Sequence, residues 1–221
     1  ANARRSEKVF EDTYRSLYAR YKDLLSSDSR KRQVPSWLKR LQIIDSTTIT
    51  LFSNLLFKGV GRHPKSGKKK GGIKVHTNIH ANEGVPSDIR FTSAATNDSF
   101  MLKPTNYNDG DIIAMDRAYI DYSKFEELTT RGVIYVTKMK KNLVYDVHSD
   151  MMYMTPEGLM EHRVQHVEFK KRVKDGEDIR HKARIITYVD LNKKKQKSEC
   201  VRRNTVLSCL STKGSNEISE I

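Results

Sequence analysis

The chain has 221 residues, with 41 Lys and Arg against 27 Asp and Glu and a formal charge of +14. That length suits one domain or one and a half around a sizeable core, and the positive surplus favours a polyanion such as nucleic acid as partner. No apolar run approaches the roughly 18 residues of a membrane span, and Cys200 and Cys209 have neither CxxC spacing nor histidine partners, which excludes zinc-ribbon and disulfide-framework classes.

Residues 5–25 read as a helix, because Val9, Tyr14, Leu17, Tyr18, Tyr21 and Leu25 recur on one face. Its aromatics read as a core stripe rather than a base-stacking platform, and Trp37 as a packing residue. The apolar, β-branched stretch 41–52 predicts a strand. Residues 58–72 read as a loop from their Gly, Pro and Ser content. Residues 73–81 alternate, "EGVPSD" turns the chain, and "IRFTSAA" alternates again, so a meander of three antiparallel strands is expected. "ATNDSFMLKPT" reads as a short helix or loop. Residues 111–116 predict a strand buried on both faces. "DYSKFEELTTRG" predicts a helix closed by Gly132, and residues 133–139 a further buried strand.

This order, a meander followed by a crossover, implies an α/β fold: a mixed sheet with helices packed on it. The expected organisation is an N-terminal helical segment over 1–36, a core over 37–140, a β-rich insert over 141–191, and an irregular tail over 192–221. No internal repeat is evident.

Two acids stand out by context. Asp45 follows Leu41, Ile43 and Ile44, and Asp116 follows the apolar run 112–115. A carboxylate at the end of a buried strand calls for a partner. If the two strands are neighbours, the two acids converge at one sheet edge and repel. A divalent cation relieves the repulsion, and oxygen ligands with a phosphate substrate suit Mg2+ or Mn2+. Two such metals support phosphodiester chemistry. The plain alternative is that each Asp ends its strand or caps the next turn. Spacing alone leaves both readings open.

Three stretches, "IIDSTTI", "KKKGGIKVHTNIHANEGVPSDIRFTSAATNDS" and "DIIAMDRAYIDYSKFEEL", together resemble the transposases of the insertion sequence four family. The resemblance runs in order from about residue 37 to 190. It implies a ribonuclease-H-like catalytic core, a β-rich insert, and DNA transposition with Mg2+ held by an Asp-Asp-Glu triad. By position, Asp45 is the first acid and Asp116 the second. It also implies DNA ends and a target as partners, no membrane, and a cytoplasmic, nucleoid-associated bacterial setting, with homo-oligomerisation open.

The family's third acid lies on a helix with Y-x2-R-x3-E-x6-K spacing. Nothing after residue 190 fits it: Glu199, Glu217 and Glu220 lack the tyrosine, the arginine and the apolar helix. The tail therefore reads as a truncation, through a frameshift, and the chain as an inactive fragment. A non-catalytic basic DNA-binding protein that keeps the fold is the alternative. A third acid from elsewhere, Asp121 or Asp190, would make it a nuclease of another ribonuclease-H-like family.

The charge supplies further candidates. Arg62, Lys65, Lys68, Lys69, Lys70 and Lys74 form a cationic stretch without an acid, which suits DNA phosphates or plain solvation. Arg117 and Tyr119 flank the second acid and suit a phosphate contact, an orienting role, or a surface ion pair and a core tyrosine. His76 and His80 sit four apart on a strand, where a metal site is not expected.

Overall fold

The computed structural model describes residues 6–25, 34–50, 61–62, 71–154, 156, 160–172, 178–190 and 202–209. Helix α1 (Glu7–Leu25) precedes a short helix α2 (Ser36–Arg40), which delivers the chain to strand β1 (Leu41–Thr50). A two-residue strand β2 (Gly61–Arg62) pairs with the start of β3 (Gly71–His80), and β4 (Pro86–Ser93) returns along β3. Of the expected 58–72 loop, only 61–62 and 71–72 lie among the described residues, and these pair as strand. Two 3-10 turns, Asp98–Met101 and Pro104–Asn106, lead to β5 (Ile112–Met115). Helix α3 (Tyr122–Thr130) and strand β6 (Ile134–Lys138) follow. Three long strands come next: β7 (Tyr145–Met154), β8 (Met160–Lys171) and β9 (Ile179–Asp190). Strand β10 (Arg202–Cys209) is the last described element.

The ten strands among the described residues join one sheet, in the order β2-β3-β1-β5-β6-β10-β9-β8-β7, with β4 paired to β3. β1 and β3 are antiparallel, as the predicted meander requires. β1 pairs in parallel with β5, and β5 in parallel with β6. The order β4-β3-β1-β5-β6, antiparallel on one side of β1 and parallel on the other, is consistent with a ribonuclease-H-like α/β fold.

Burial explains why the centre is apolar. β5 is covered on both faces, so it reads "IIAM" without alternation: Ile112, Ile113 and Met115 are buried. β1 has one face covered and alternates, with Gln42 and Ile44 inside and Ile43 and Asp45 outside. Helix α3 buries Phe125 and Leu128, and the Phe125 ring stacks on Tyr135 with centroids 4.1 Å apart. Each such side chain contributes about 1.5–3 kcal/mol by leaving water. The helix ends as predicted. Gly132 adopts φ +75°, its N–H donates to Thr129 O, and Val133 N–H donates to Leu128 O. This paired closure needs a left-handed residue. A Cβ at Gly132 would also meet Asp109 Oδ1 at 2.0 Å.

Two expectations are corrected. The tail was expected to be irregular, yet residues 202–209 form β10, antiparallel to both β6 and β9. β10 makes the β-rich segment a continuation of the central sheet, and Val167, Phe169, Ala183 and Ile185 share the core cluster of Phe125 and Tyr135. The aromatic face of α1 is also not a core stripe: Val9, Phe10, Leu17 and Tyr21 are exposed. α1 instead meets the β3–β4 turn through polar groups, with the Tyr14 hydroxyl donating to Pro86 O and the Tyr18 hydroxyl donating to Glu83 Oε2 at 2.5 Å. Trp37 packs against the core cluster, as expected.

Candidate active site

The parallel register of β1 and β5 aligns Ile44 with Met115. The next residues are Asp45, inside β1 and paired with Thr77 of β3, and Asp116, just past the end of β5. Neighbouring strands stand roughly 4.8 Å apart, so the two backbone anchors lie side by side just past the last β1–β5 pair. Strand alternation carries both side chains to the face opposite Ile44 and Met115, and both are exposed. The carboxylates are held alike. Asp45 Oδ1 accepts from Ser46 N–H at 2.8 Å, and Asp116 Oδ1 accepts from Arg117 N–H at 2.6 Å. In each case Oδ2 has no partner among the described residues.

Asp116 thereby caps the 3-10 turn Arg117–Tyr119, and Tyr119 N–H closes that turn on Asp116 O at 3.0 Å. Capping fixes the carboxylate without occupying it fully. The alternative third acids stand elsewhere. Asp121 caps α3 by accepting from Ser123 N–H at 3.2 Å. Asp190 ends β9 opposite Arg202. Among the described residues no group of three or more acids, histidines or cysteines is set to hold a metal.

A buried polar cluster lies directly behind the acids. Ser46 Oγ donates to Asp98 Oδ1 at 2.7 Å, and Lys74 Nζ lies 3.2 Å from the same oxygen. Lys74 also donates to Thr96 O at 2.8 Å. Its side chain is buried, so the expected phosphate-facing role of Lys74 is corrected: its charge is committed to Asp98. His76 is buried as well. Its Nε2 lies 2.8 Å from Thr92 Oγ1, and its Nδ1 lies 3.5 Å from the Tyr119 hydroxyl. Burial pushes the His76 imidazole below its ordinary value, and Lys74 adds to this against the opposing pull of Asp98. A neutral ring that donates from Nε2 and accepts at Nδ1 fits these partners. Burial also raises the Tyr119 phenol, with Asp98 adding to the effect. His80 stays at the far end of β3, paired with Gln42 of β1.

Beside Asp116 a groove of about 560 Å³ opens, lined by Arg117, Lys140, Lys141 and Leu143 among others. Lys140 and Lys141 belong to the turn between β6 and β7, and sequence reasoning did not single them out. Only the fold brings that turn beside Asp116; the paired lysines in "KMKKN" were the one available hint. Of the other cationic candidates, Arg62 pairs through its backbone with Gly71. Lys65, Lys68, Lys69 and Lys70 lie outside the described residues.

The geometry resolves into two carboxylates side by side where the parallel β1–β5 pairing ends, with a cationic groove alongside. A family model described as "Transposase DDE domain" matches residues 36–210. The chain belongs to the transposase DDE domain family. The match reaches past β9 and takes in β10, beyond where the resemblance in sequence was traced. No curated protein matches the chain. The family implies DNA as substrate and transposition-related nuclease chemistry, usually with divalent metals. The donor set agrees with such a metal in kind: two exposed carboxylates, each with one oxygen available. Mg2+ keeps several of its waters and takes only one or two carboxylates, so this pair provides the start of a site. No helix among the described residues is long and apolar enough to cross a membrane.

Proposed function

We propose that this transposase DDE domain is the catalytic part of an insertion-sequence-four type transposase, cutting and joining DNA strands with Mg2+ or Mn2+. Asp45 and Asp116 are two of its metal ligands. The observation that supports this reading is the Ile44–Met115 register, which makes Asp45 and Asp116 neighbours across the two strands. When bound, divalent metal activates the attacking oxygen and stabilises the leaving one.

The chain's own residues do the rest. Ser46 N–H and Arg117 N–H fix the carboxylate rotations, so that the open oxygens are presented together. Arg117, Lys140 and Lys141 line the groove beside Asp116 and take the phosphates flanking the reacting one. The charge of Arg62, Lys65, Lys68, Lys69 and Lys70, read from the sequence, adds further phosphate contacts.

A second reading, a DNA-binding protein that keeps the fold without cutting, draws on one observation. Among the described residues no third carboxylate joins Asp45 and Asp116. On that basis the chain alone holds its cation weakly and binds DNA more readily than it cleaves it. Supercoiled plasmid incubated with the purified chain and Mn2+ separates the two. Nicking that is lost in Asp45→Asn and in Asp116→Asn supports the catalytic reading. Retarded but intact plasmid supports the binder.

A further inference from the structure

We infer that Asp98 is a positioning residue for the paired acids, acting through Ser46 to hold the first of them, Asp45, in place beside Asp116. The inference rests on the metal-binding reading of Asp45 and Asp116 above. Asp98 touches neither acid. It opens the 3-10 turn Asp98–Met101, which is anchored twice: Asn97 caps it by accepting from Ser99 N–H at 3.2 Å, and Lys124 of α3 donates to Ser99 O. From this fixed point Asp98 Oδ1 accepts from Ser46 Oγ at 2.7 Å. Ser46 is the residue whose N–H holds Asp45 Oδ1. The chain of contacts therefore runs from the turn to the first acid in two hydrogen bonds.

The same cluster borders the turn that carries the second acid. His76 Nδ1, the acceptor 3.5 Å from the Tyr119 hydroxyl, packs 3.8 Å from Asp98 Oδ1 without a hydrogen bond to it. Tyr119, fully buried, closes the turn that Asp116 caps. Lys74 balances the charge of Asp98 at 3.2 Å and ties it to Thr96 O, so the carboxylate keeps its place. With Lys74 and Ser46 on one oxygen, and its side chain only 15% exposed, Asp98 is built to hold a position rather than to ligate an ion at the surface.

Groups that hold a metal's ligands in place typically change metal affinity by roughly 10–100-fold when removed. The test is Mn2+ binding by the purified chain, followed by the spin-resonance signal of the ion, for the unaltered protein and for Asp45→Asn, Asp98→Asn and Ser46→Ala. Thermal unfolding is recorded in parallel. The expected result is a saturable site lost in Asp45→Asn, weakened about tenfold or more in Asp98→Asn, and weakened less in Ser46→Ala. In Ser46→Ala the altered spectrum of the bound ion appears with little change in melting temperature, which a purely structural role would not produce. Should Asp98→Asn fail to fold, Ser46→Ala decides. Unchanged affinity and spectrum in the folded variants would overturn this inference and leave the metal reading intact. No Mn2+ site in the unaltered chain, or one indifferent to Asp45→Asn, would overturn both.

Discussion

Asp45 and Asp116 are neighbours across two parallel strands, each one residue beyond the aligned pair Ile44 and Met115. Each spends one oxygen on the N–H of the residue that follows it. Because both are exposed and hold only local contacts, changing them should cost little stability. Asn caps turns about as well as Asp. Asp45→Asn and Asp116→Asn are therefore expected to melt close to the unaltered chain while Mn2+-dependent nicking falls by orders of magnitude. Melting curves beside the nicking assay check both halves.

Lys74 should behave as a core residue despite its charge. With side-chain exposures of 10% and 15%, Lys74 and Asp98 form a mostly buried pair. Removing one partner of such a pair leaves the other charge uncompensated, at a cost of about 3–5 kcal/mol. Lys74→Met should lower the urea midpoint accordingly, and leave the salt dependence of DNA binding unchanged. A stable variant with a shallower salt slope would place the amine on DNA instead.

The groove cations should show the opposite pattern. Replacing Arg117, Lys140 and Lys141 together by Ala should leave stability nearly intact. If all three meet phosphates, the slope of log affinity against log salt should shrink in magnitude by about 2.7, at roughly 0.9 per contact. Fluorescence anisotropy of a labelled duplex across a salt series reads the change.

A pH effect is expected from the joint between α3, β6 and β9. His181 is fully buried, its Nδ1 2.7 Å from Glu126 Oε2 and its Nε2 2.5 Å from the Tyr135 hydroxyl. The Tyr122 ring lies alongside. Burial holds the imidazole below its ordinary value, against the smaller opposing pull of Glu126. Below about pH 6.5 the unfolded chain takes up a proton that the folded site resists. Stability should thus be level above that point and decline as pH falls through it. His76, shifted in the same direction, adds to the decline. His181→Phe should be less stable at neutral pH and show a smaller decline, measured by urea denaturation between about pH 7.5 and 5.5.

The parts of this fold that the sequence announces are those governed by local or two-sided burial. "IIAM" followed by an acid could be read because a strand covered on both faces has no polar position until it ends. α3 could be read because Gly132 marks its left-handed stop. The missed parts depend on distant partners. β10 has a weak apolar pattern, and its hydrogen bonds come from β6 and β9 on either side. Lys74 looked like part of the basic stretch because the sequence does not show that Asp98 folds against it. Lys140 and Lys141 acquire their place only when the β6–β7 turn arrives beside Asp116. The α1 aromatics have helical spacing, but spacing does not say whether a core lies beneath them.

The central claim is that Asp45 and Asp116 share one cation. Substituting Fe2+ and adding ascorbate generates hydroxyl radicals at the bound ion, which cut the nearby backbone. The account predicts two cuts in one reaction, near residues 45 and 116, both suppressed by Mg2+ and both absent from Asp45→Asn. Cutting at one position alone, or cutting that Mg2+ fails to suppress, would contradict it.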